Sequence, residues 1–259
     1  MPISQTIALP AGFAEQAGTT QATSILPMRL RGAEARARGK LLIGPIDLDI
    51  SRHGLTIVIG PNGVGKTTLL RLMHGLQRLS GGEILWNAAQ SQVRDRQAFV
   101  FQSPVMMRRS VLDNIAYPLV LHGVSRADAR AQAADMAGEM GLGDLLDQPA
   151  PVLSGGEQQK LSLARALIRT PEILFLDEPC ANLDGRATRE IEAILLKAQA
   201  NGTRIVMSTH NMGQARRLAM DVVFMYDGKV HESAPAAEFF DTPPKTPEAA
   251  GFVNGDIVE

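Results

Sequence analysis

Residues 55–73 read LTIVIGPNGVGKTTLLRLM and predict a strand, a glycine-rich loop and a helix in direct succession. The apolar run 55–59, rich in β-branched residues, is typical of a buried parallel strand. Residues 60–67 then match the pattern G-x-x-x-x-G-K-[ST], and Leu69, Leu70 and Leu72 give the next segment a helical apolar face. Loops with this pattern bind phosphate when a strand precedes them and a helix follows, as here.

The loop predicts a nucleotide site that uses Mg²⁺. Its glycines let successive backbone N–H groups point at phosphate oxygens, and the helix N-terminus adds partial positive charge. Lys66 is expected to contact the β- and γ-phosphates, and the Thr67 hydroxyl to bind Mg²⁺. A glycine-rich turn without a ligand is the alternative, but it needs a chance match to the whole pattern. The nucleotide-binding residues predicted in the loop are Gly60, Pro61, Asn62, Gly63, Val64, Gly65, Lys66, Thr67 and Thr68.

The composition is that of an ordinary globular protein. Of the 259 residues, 45% are hydrophobic and 20% are charged, and the formal net charge is −1. This charge gives no general reason to expect a nucleic-acid partner, and we expect none. The single cysteine, Cys180, excludes an intrachain disulfide and suits a reducing cytoplasm. The sequence has no apolar run long enough for a membrane span and no basic segment before an apolar core, so we expect neither a span nor a secretory signal.

Strands alternate with helices along most of the chain, which indicates an α/β fold with a mainly parallel sheet. Residues 1–27 are rich in Ala, Gly, Thr and Gln without periodicity, so we expect a flexible N-terminal extension. Residues 28–241 are expected to form the main domain, and 242–259 a proline-bearing C-terminal tail. Within the main domain, an alanine-rich helical pattern predicts a helical insert at about 103–153.

Two carboxylates follow the apolar run at 173–176, where a predicted strand ends. Ligands of open α/β sheets bind at the carboxyl ends of the strands. Asp177 is therefore expected to bind Mg²⁺, and Glu178 to act as the general base that polarises the attacking water. His210 and Gln102 also follow predicted strands, although either signal alone is weak. The predicted catalytic residues are Glu178, His210 and Gln102, and the predicted metal ligands are Thr67, Gln102 and Asp177.

A second glycine-bearing helix start lies at Ser154, Gly155 and Gly156. Two glycines weaken a first helical turn, so their presence suggests a close approach of the backbone to something else. An anion fits, because free N–H groups and the helix dipole favour negative charge. An ordinary capping box between Ser154 and Glu157 is the alternative. One nucleotide cannot easily occupy both this helix start and the first one, so we expect a second copy of the chain to supply it.

The motifs together resemble those of the ATP-binding cassette (ABC) family, the nucleotide-binding subunits of ABC transporters. The resemblance covers about residues 41–232 and rests on GPNGVGKTT (60–68), Gln102, LSGGEQQK (153–160), ILFLDE (173–178), ANLD (181–184) and TH (209–210). It implies a P-loop NTPase (RecA-like) core with an N-terminal antiparallel β subdomain and an inserted α-helical subdomain. It also implies ATP hydrolysis with Mg²⁺ by a head-to-tail homodimer, in which each ATP lies between one phosphate loop and the partner's Ser154, Gly155 and Gly156.

The resemblance further implies transmembrane permease subunits as partners, a periplasmic solute-binding protein acting through them, and a place on the cytoplasmic face of a bacterial inner membrane. The segment FQSPVMMRRSVLDNIAYPL (101–119) is similar to subunits of tungstate-type oxyanion importers. Tungstate or molybdate is thus the expected solute, with phosphate and amino acids as alternatives. A soluble, non-transport ABC ATPase is less favoured, because the chain has one phosphate loop and no heptad run. A scaffold without hydrolysis is disfavoured by Glu178 and His210.

The chain departs from the family pattern at the adenine base. The family usually places an aromatic ring there, roughly 25–30 residues before the lysine of the phosphate loop. No aromatic residue occurs between Phe13 and Trp86 in this chain. The guanidinium plane of Arg36 or Arg38 is an alternative stacking partner.

Overall fold

A computed structural model describes residues 24–255 of the chain. A three-stranded antiparallel sheet, in the order β2–β1–β4, lies beside a six-stranded sheet in the order β5–β6–β7–β3–β8–β9. The strands are β1 (Met28–Ala37), β2 (Lys40–Ile50), β3 (Leu55–Ile59), β4 (Gly81–Trp86), β5 (Gln97–Val100), β6 (Ile173–Asp177), β7 (Arg204–Ser208), β8 (Asp221–Tyr226) and β9 (Lys229–Pro235).

The helices either pack on the larger sheet or lie in the stretch between β5 and β6. Three of them, α3, α4 and α5, occupy that stretch, together with short 3₁₀ turns at Gly143–Leu145 and Ala150–Val152. The helices are α1 (Lys66–His74), α2 (Gln90–Val93), α3 (Val111–Leu121), α4 (Arg126–Glu139), α5 (Gly155–Leu167), α6 (Gly185–Ala200), α7 (Met212–Leu218), α8 (Ala236–Asp241) and α9 (Pro247–Asn254). In the part of the chain with described structure, no helix is both long and apolar enough to cross a membrane.

The larger sheet is parallel from β5 to β8, and β9 adds to it as the second arm of an antiparallel hairpin. Every residue of β3, β6 and β7 is buried, which fits strands covered by helices on both faces. Each fully buried Val, Leu or Ile side chain stabilises the fold by about 1.5–3 kcal/mol. The predicted α/β architecture, with an antiparallel sheet near the N-terminus and helices inserted between two strands, is confirmed.

The folded domain begins before residue 28, which corrects the N-terminal boundary predicted from composition. Ile25 is completely buried, and its backbone N–H donates a hydrogen bond to Glu172 Oε2 at 3.0 Å. The Ser24 hydroxyl donates to the same oxygen at 2.7 Å. Residues 24–27 are therefore part of the fold, whereas the remainder of the predicted extension, residues 1–23, lies outside the described residues.

The C-terminal stretch also packs on the domain, although its composition predicted a tail. Helix α9 buries Ala249 and brings the Phe252 ring to 5.5 Å from the ring of Phe224, which belongs to β8. The backbone N–H of Lys245 donates to Glu232 Oε1 at 2.9 Å. The stretch from 242 to 255 is thus a docked helix and its connection, which the prolines do not prevent because one of them, Pro247, occupies the first turn of α9.

Candidate nucleotide-binding site

The predicted functional residues meet at the carboxyl edge of the larger sheet. In the parallel registers, Val58 and Asp177 both pair with Ser208, so β3, β6 and β7 end side by side. The phosphate loop follows β3, the carboxylates end β6, and His210 lies just beyond β7. Three separate parts of the sequence therefore reach one site because parallel strands point the same way.

The glycines of the phosphate loop have two distinct physical roles. Gly60 and Gly65 have φ of 146° and 107°, and a Cβ at either would lie 2.2 Å from another atom, the Met225 carbonyl oxygen or Ile43 Cγ2. Gly63 has φ of 80°, and nothing lies within 4 Å of a Cβ added there. Gly60 and Gly65 thus let the loop pack closely on its surroundings, whereas Gly63 is needed for backbone conformation and leaves open space in front of the loop.

Lys66 begins α1 and folds back over the phosphate loop. Its Nζ donates to the carbonyl oxygens of Gly60, at 2.9 Å, and Pro61, at 3.0 Å. Burial lowers the pKa of Lys66, while the nearby carboxylates Glu178 and Asp177 oppose that shift by stabilising the ammonium. The structure thus holds a cation at the point where the loop amides converge, as a phosphate site requires.

Asp177 is the centre of a group of oxygen atoms suited to Mg²⁺. It is 2% exposed, and its Oδ1 accepts hydrogen bonds from the hydroxyls of Thr67 and Ser208, both at 2.9 Å. Mg²⁺ prefers oxygen ligands and commonly takes one or two from the protein, with the rest from water and phosphate. The Thr67 hydroxyl and the Asp177 carboxylate therefore fit the ion. Ser208 was not predicted from the sequence, because a serine that ends a strand carries no distinctive pattern.

Glu178 has an unusual backbone conformation that aims its side chain at His210. Its φ is 43°, in the left-handed region that non-glycine residues seldom adopt, and its N–H donates to Ser208 Oγ at 3.0 Å. Glu178 Oε2 lies 2.9 Å from His210 Nδ1. An ionised carboxylate can only accept a hydrogen bond, so this contact places the ring proton on Nδ1.

Gln102 lies at the same edge of the sheet but apart from the carboxylates. Val100 pairs with Leu176 in the parallel register of β5 and β6, so Gln102 is level with Glu178. The Gln102 side chain is exposed, and among the described residues it makes no hydrogen bond to Asp177 or Glu178. Its roles in binding the metal and positioning the water stay predictions.

The second glycine-bearing helix start forms a complete capping box. Ser154 Oγ accepts from the N–H of Glu157, and Glu157 Oε2 accepts from the N–H of Ser154 at 2.8 Å. Hydrogen bonds from the Ser154 hydroxyl and N–H lower the pKa of Glu157. A Cβ on Gly156 would lie 3.1 Å from Ala187 Cβ, so this glycine serves helix packing, whereas Gly155 and Ser154 are exposed. Both predicted explanations, the capping box and an accessible backbone, therefore fit the geometry.

A groove of about 880 Å³ opens beside the phosphate loop. Its walls are residues 41–44 of β2, residues 61–64 of the loop, and residues 226–229 of the β8–β9 turn. The Gly44 N–H donates to the Gly228 carbonyl at 2.8 Å, which joins two of these walls. The exposed side chains of Leu41 and Leu42 and the ring of Tyr226 are the apolar surfaces that the groove offers. Arg36, in contrast, pairs with Glu34 at 3.2 Å.

Comparison with known proteins places these features in one family. The family profile described as ABC transporter matches residues 43–181. The tungstate uptake system ATP-binding protein TupC of Peptoclostridium acidaminophilum is 38% identical over 197 residues, which are 75% of this chain and 92% of that protein. The phosphate import ATP-binding protein PstB 2 of Natronomonas pharaonis is 34% identical, over 85% of this chain and 84% of that protein.

A solved structure agrees with these sequence relatives. The cbiO1 protein of Clostridium perfringens, part of the ABC transporter complex cbiONQ, superposes with a TM-score of 0.75 at 26% identity, over 85% of this chain and 92% of that chain. The profile match, the relatives and the geometry of the phosphate loop agree on one assignment. The chain belongs to the ABC transporter family and is an ATP-binding subunit with the P-loop NTPase fold and ATPase activity of that family.

Proposed function

We propose that Lys66, Thr67, Asp177, Glu178 and His210 form the hydrolytic centre of this ATPase. The observation that carries the proposal is the continuous set of contacts from Thr67 through Asp177 and Ser208 to Glu178 and His210. Lys66 binds the β- and γ-phosphates with the loop amides. Thr67 and Asp177 hold Mg²⁺, which when bound offsets the negative charge of the triphosphate.

Glu178 takes the proton of the attacking water, and His210 holds the carboxylate in place with its Nδ1 proton. A general base must lie within hydrogen-bond reach of the proton that it accepts. The left-handed backbone of Glu178 directs its carboxylate to the open side of the sheet edge, where the loop would present the γ-phosphate. The 2.9 Å contact with His210 Nδ1 restricts the carboxylate to one orientation before ATP arrives.

Each site is proposed to be completed by a second copy of the chain. Ser154, the N-cap of α5, and Gly155, its first residue, are exposed. An anion at this helix start would be favoured by the N–H groups and the helix dipole. In the proposed dimer, the α5 start of one copy lies at the phosphate loop of its partner. A twofold axis makes contacts reciprocal, so the same contact forms twice and both sites are complete.

We further propose that this ATPase drives an importer at the cytoplasmic face of a bacterial inner membrane, and that permease subunits dock beside α3. A groove of about 320 Å³ lies between the β5 end, α3 and α5. Its exposed apolar side chains include Leu121, 64% exposed, and Val105, 71% exposed. The Arg165 guanidinium donates to the Val105 carbonyl at 2.7 Å and so holds one wall in place. A short amphipathic helix of a permease fits a groove of this character.

An oxyanion such as tungstate or molybdate is the proposed solute, received by the permease from a periplasmic binding protein. The support is the TupC relative, together with the likeness of residues 101–119 to such subunits. Relatives of similar identity carry names for iron, nickel and methionine import, so phosphate, metal-ion or amino-acid import are the competing outcomes. Other subunits bind the solute. The sequence of the ATPase therefore indicates the solute only through its similarity to relatives.

Two experiments test these proposals, one for the docking surface and one for the solute. Leu121→Glu should reduce co-purification of the permease by at least about 10-fold, because it buries a charge in the docking groove. ATP binding by the free subunit should be unchanged. Leu196→Glu, a matched change of an exposed leucine on α6, should leave co-purification intact. Equal recovery of permease with both variants would overturn the docking surface.

For the solute, cells lacking this gene should lose uptake of radiolabelled tungstate and regain it with the wild-type chain, but not with Glu178→Gln. Phosphate and methionine uptake, measured in the same cells, serve as controls. Normal tungstate and molybdate uptake alongside loss of another solute would contradict the oxyanion assignment and leave the ATPase assignment untouched.

A further inference from the structure

Gln214 is a buried amide in α7 whose hydrogen bonds reach the residue before His210. Its side chain is 2% exposed, and its Oε1 accepts from the Thr209 hydroxyl at 2.8 Å. Its Nε2 donates to Glu192 Oε1 at 3.2 Å. A buried amide with partners for both its oxygen and its nitrogen has one fixed orientation, since rotating it would set its oxygen against the Glu192 carboxylate, acceptor against acceptor.

The turn that carries His210 is held on both sides by Gln214, through its side-chain amide at Thr209 and through its backbone N–H at Asn211. Thr209 donates its N–H to the Val58 carbonyl, and its hydroxyl oxygen accepts from the Asn211 N–H at 3.1 Å. Asn211 Oδ1 in turn accepts from the Gln214 N–H at 2.9 Å. The His210 ring itself is exposed, so its position depends on the anchored residues at either side rather than on packing.

The same amide reaches the turn that follows Glu178. Cys180 lies two residues after Glu178, is half-buried, and makes a side-chain hydrogen bond with Gln214. On the far side of the amide, Glu192 of α6 is 7% exposed and is paired with Arg217 through contacts of 2.6 and 3.0 Å. Gln214 therefore links the turn of His210, the turn after Glu178, and helix α6.

We propose that Gln214 is a positioning residue for hydrolysis, which keeps His210 Nδ1 and the Glu178 carboxylate at hydrogen-bonding distance by tying their two turns to Glu192. The inference rests on the proposed roles of Glu178 and His210. A buried amide that merely satisfies its own hydrogen bonds would contribute to stability and leave the chemical step alone. The two roles differ in what they predict for kcat at saturating ATP.

Gln214→Met keeps the approximate size of the side chain and removes its hydrogen bonds to Thr209, Glu192 and Cys180. We expect kcat to fall about 10-fold or more with KM for ATP changed less than about 2-fold, because small displacements of catalytic groups slow the reaction without affecting phosphate binding. Thr209→Val, which leaves the amide and deletes the two hydrogen bonds of the Thr209 hydroxyl, should act in the same direction. We measure kcat and KM for both variants on the full chain, together with their melting temperatures.

Thr203→Val is the matched control. Thr203 is also buried, and its hydroxyl donates to the Pro171 carbonyl at 3.0 Å, at the start of β7 rather than at its end. This variant loses one buried hydrogen bond where Thr209→Val loses two, so its melting temperature should fall by a smaller amount while its kcat stays at the wild-type value. Equal kcat for Thr203→Val and Thr209→Val would overturn the positioning role.

An exchange of the two side chains provides the rescue. Gln214→Glu alone sets a carboxylate against Glu192 and should lower kcat, because the donor between them is lost. Gln214→Glu combined with Glu192→Gln restores one amide and one carboxylate to the pair and should recover kcat to within about 2-fold of wild type. The inference would be overturned if Gln214→Glu alone did not lower kcat and the double variant had no higher kcat than the single one. Wild-type kcat in Glu178→Gln would instead contradict the proposed role of Glu178.

Discussion

His210 Nδ1 lies 2.9 Å from Glu178 Oε2, although the two residues follow different strands and are separated in the sequence by all of α6. The contact exists because β6 and β7 are parallel neighbours that end at the same edge of the sheet. It joins the proposed general base to the residue proposed to orient it. Hydrolysis should therefore depend on the Glu178 carboxylate in a way that ATP binding does not.

Glu178→Gln tests that separation. The amide keeps the shape of the side chain and cannot take the proton from water, so kcat should fall at least about 100-fold. ATP affinity should be kept or increased, because Lys66 and Asp177 are unchanged. Stopped-time assays of phosphate release and equilibrium binding of a fluorescent ATP analogue measure the two quantities. Substantial turnover by this variant in the presence of its membrane partners would rule out the general base.

Lys66→Ala should instead weaken nucleotide binding itself. Charge-assisted hydrogen bonds of this kind contribute roughly 1.5–3 kcal/mol each, so Kd for ATP should rise about 10- to 100-fold. Lys197→Ala, which removes a surface lysine paired with Glu139, is the control and should bind as wild type does. An unchanged affinity in Lys66→Ala would exclude its contact with phosphate.

Tyr226→Ala tests the groove beside the phosphate loop as the place of the adenine base. Loss of an aromatic contact with a base costs about 1–3 kcal/mol, so KM for ATP should rise several-fold or more. Inhibition by inorganic tripolyphosphate, which has no base, should be unchanged because Lys66 and the loop amides are intact. A parallel loss of tripolyphosphate affinity would show that the substitution damages the loop and that Tyr226 does not contact the base.

His74 should make the protein less stable in mild acid. Burial against Phe99 and Phe175 lowers its pKa from 6.5 to about 4, so the folded state favours the neutral ring. The unfolded chain binds the proton more readily, so this contribution is complete above about pH 6.5 and is lost as pH falls toward 4.

The loss amounts to at most about 3 kcal/mol, from 1.36 kcal/mol for each pKa unit. Urea unfolding of wild type and His74→Leu between pH 7 and 4.5 measures it. The wild-type free energy of unfolding should decrease more steeply than that of the variant. Parallel pH profiles would show that another group is responsible.

The sequence predicted the phosphate loop and the carboxylate strand because their chemistry requires particular residue types in consecutive positions. Lys66, Thr67, Asp177 and Glu178 could thus be named in advance, and the structure brings them to one sheet edge. Ser208 and Gln214 could not be named, because each makes hydrogen bonds to residues distant in the sequence, Ser208 to Asp177 and Gln214 to Glu192. A hydrogen bond between residues that are distant in the sequence leaves no local pattern in a single sequence.

Strand β1 shows a different limit of prediction from the sequence. In β1, buried residues such as Met28, Leu30 and Ala33 alternate with charged ones, and the arginines obscure this strand pattern in the sequence. The ends of the domain were similarly misjudged from composition. Ile25 is buried in a cluster with residues of β1, β2 and α1, and the Ala-, Gly-, Thr- and Gln-rich stretch before it gives no sign of that.

The shared site is tested most directly by mixing two inactive chains. Lys66→Ala disables the phosphate loop, and Ser154→Arg blocks the start of α5 with a bulky side chain. If each site combines the loop of one chain with the α5 start of its partner, a mixed dimer has one site with both defects and one with neither. Equal amounts of the two variants should then recover about a quarter of wild-type ATPase activity, if chains pair at random and sites act independently. A mixture that stays as inactive as either variant alone, although exchange of labelled chains shows that mixed dimers form, would contradict the shared site.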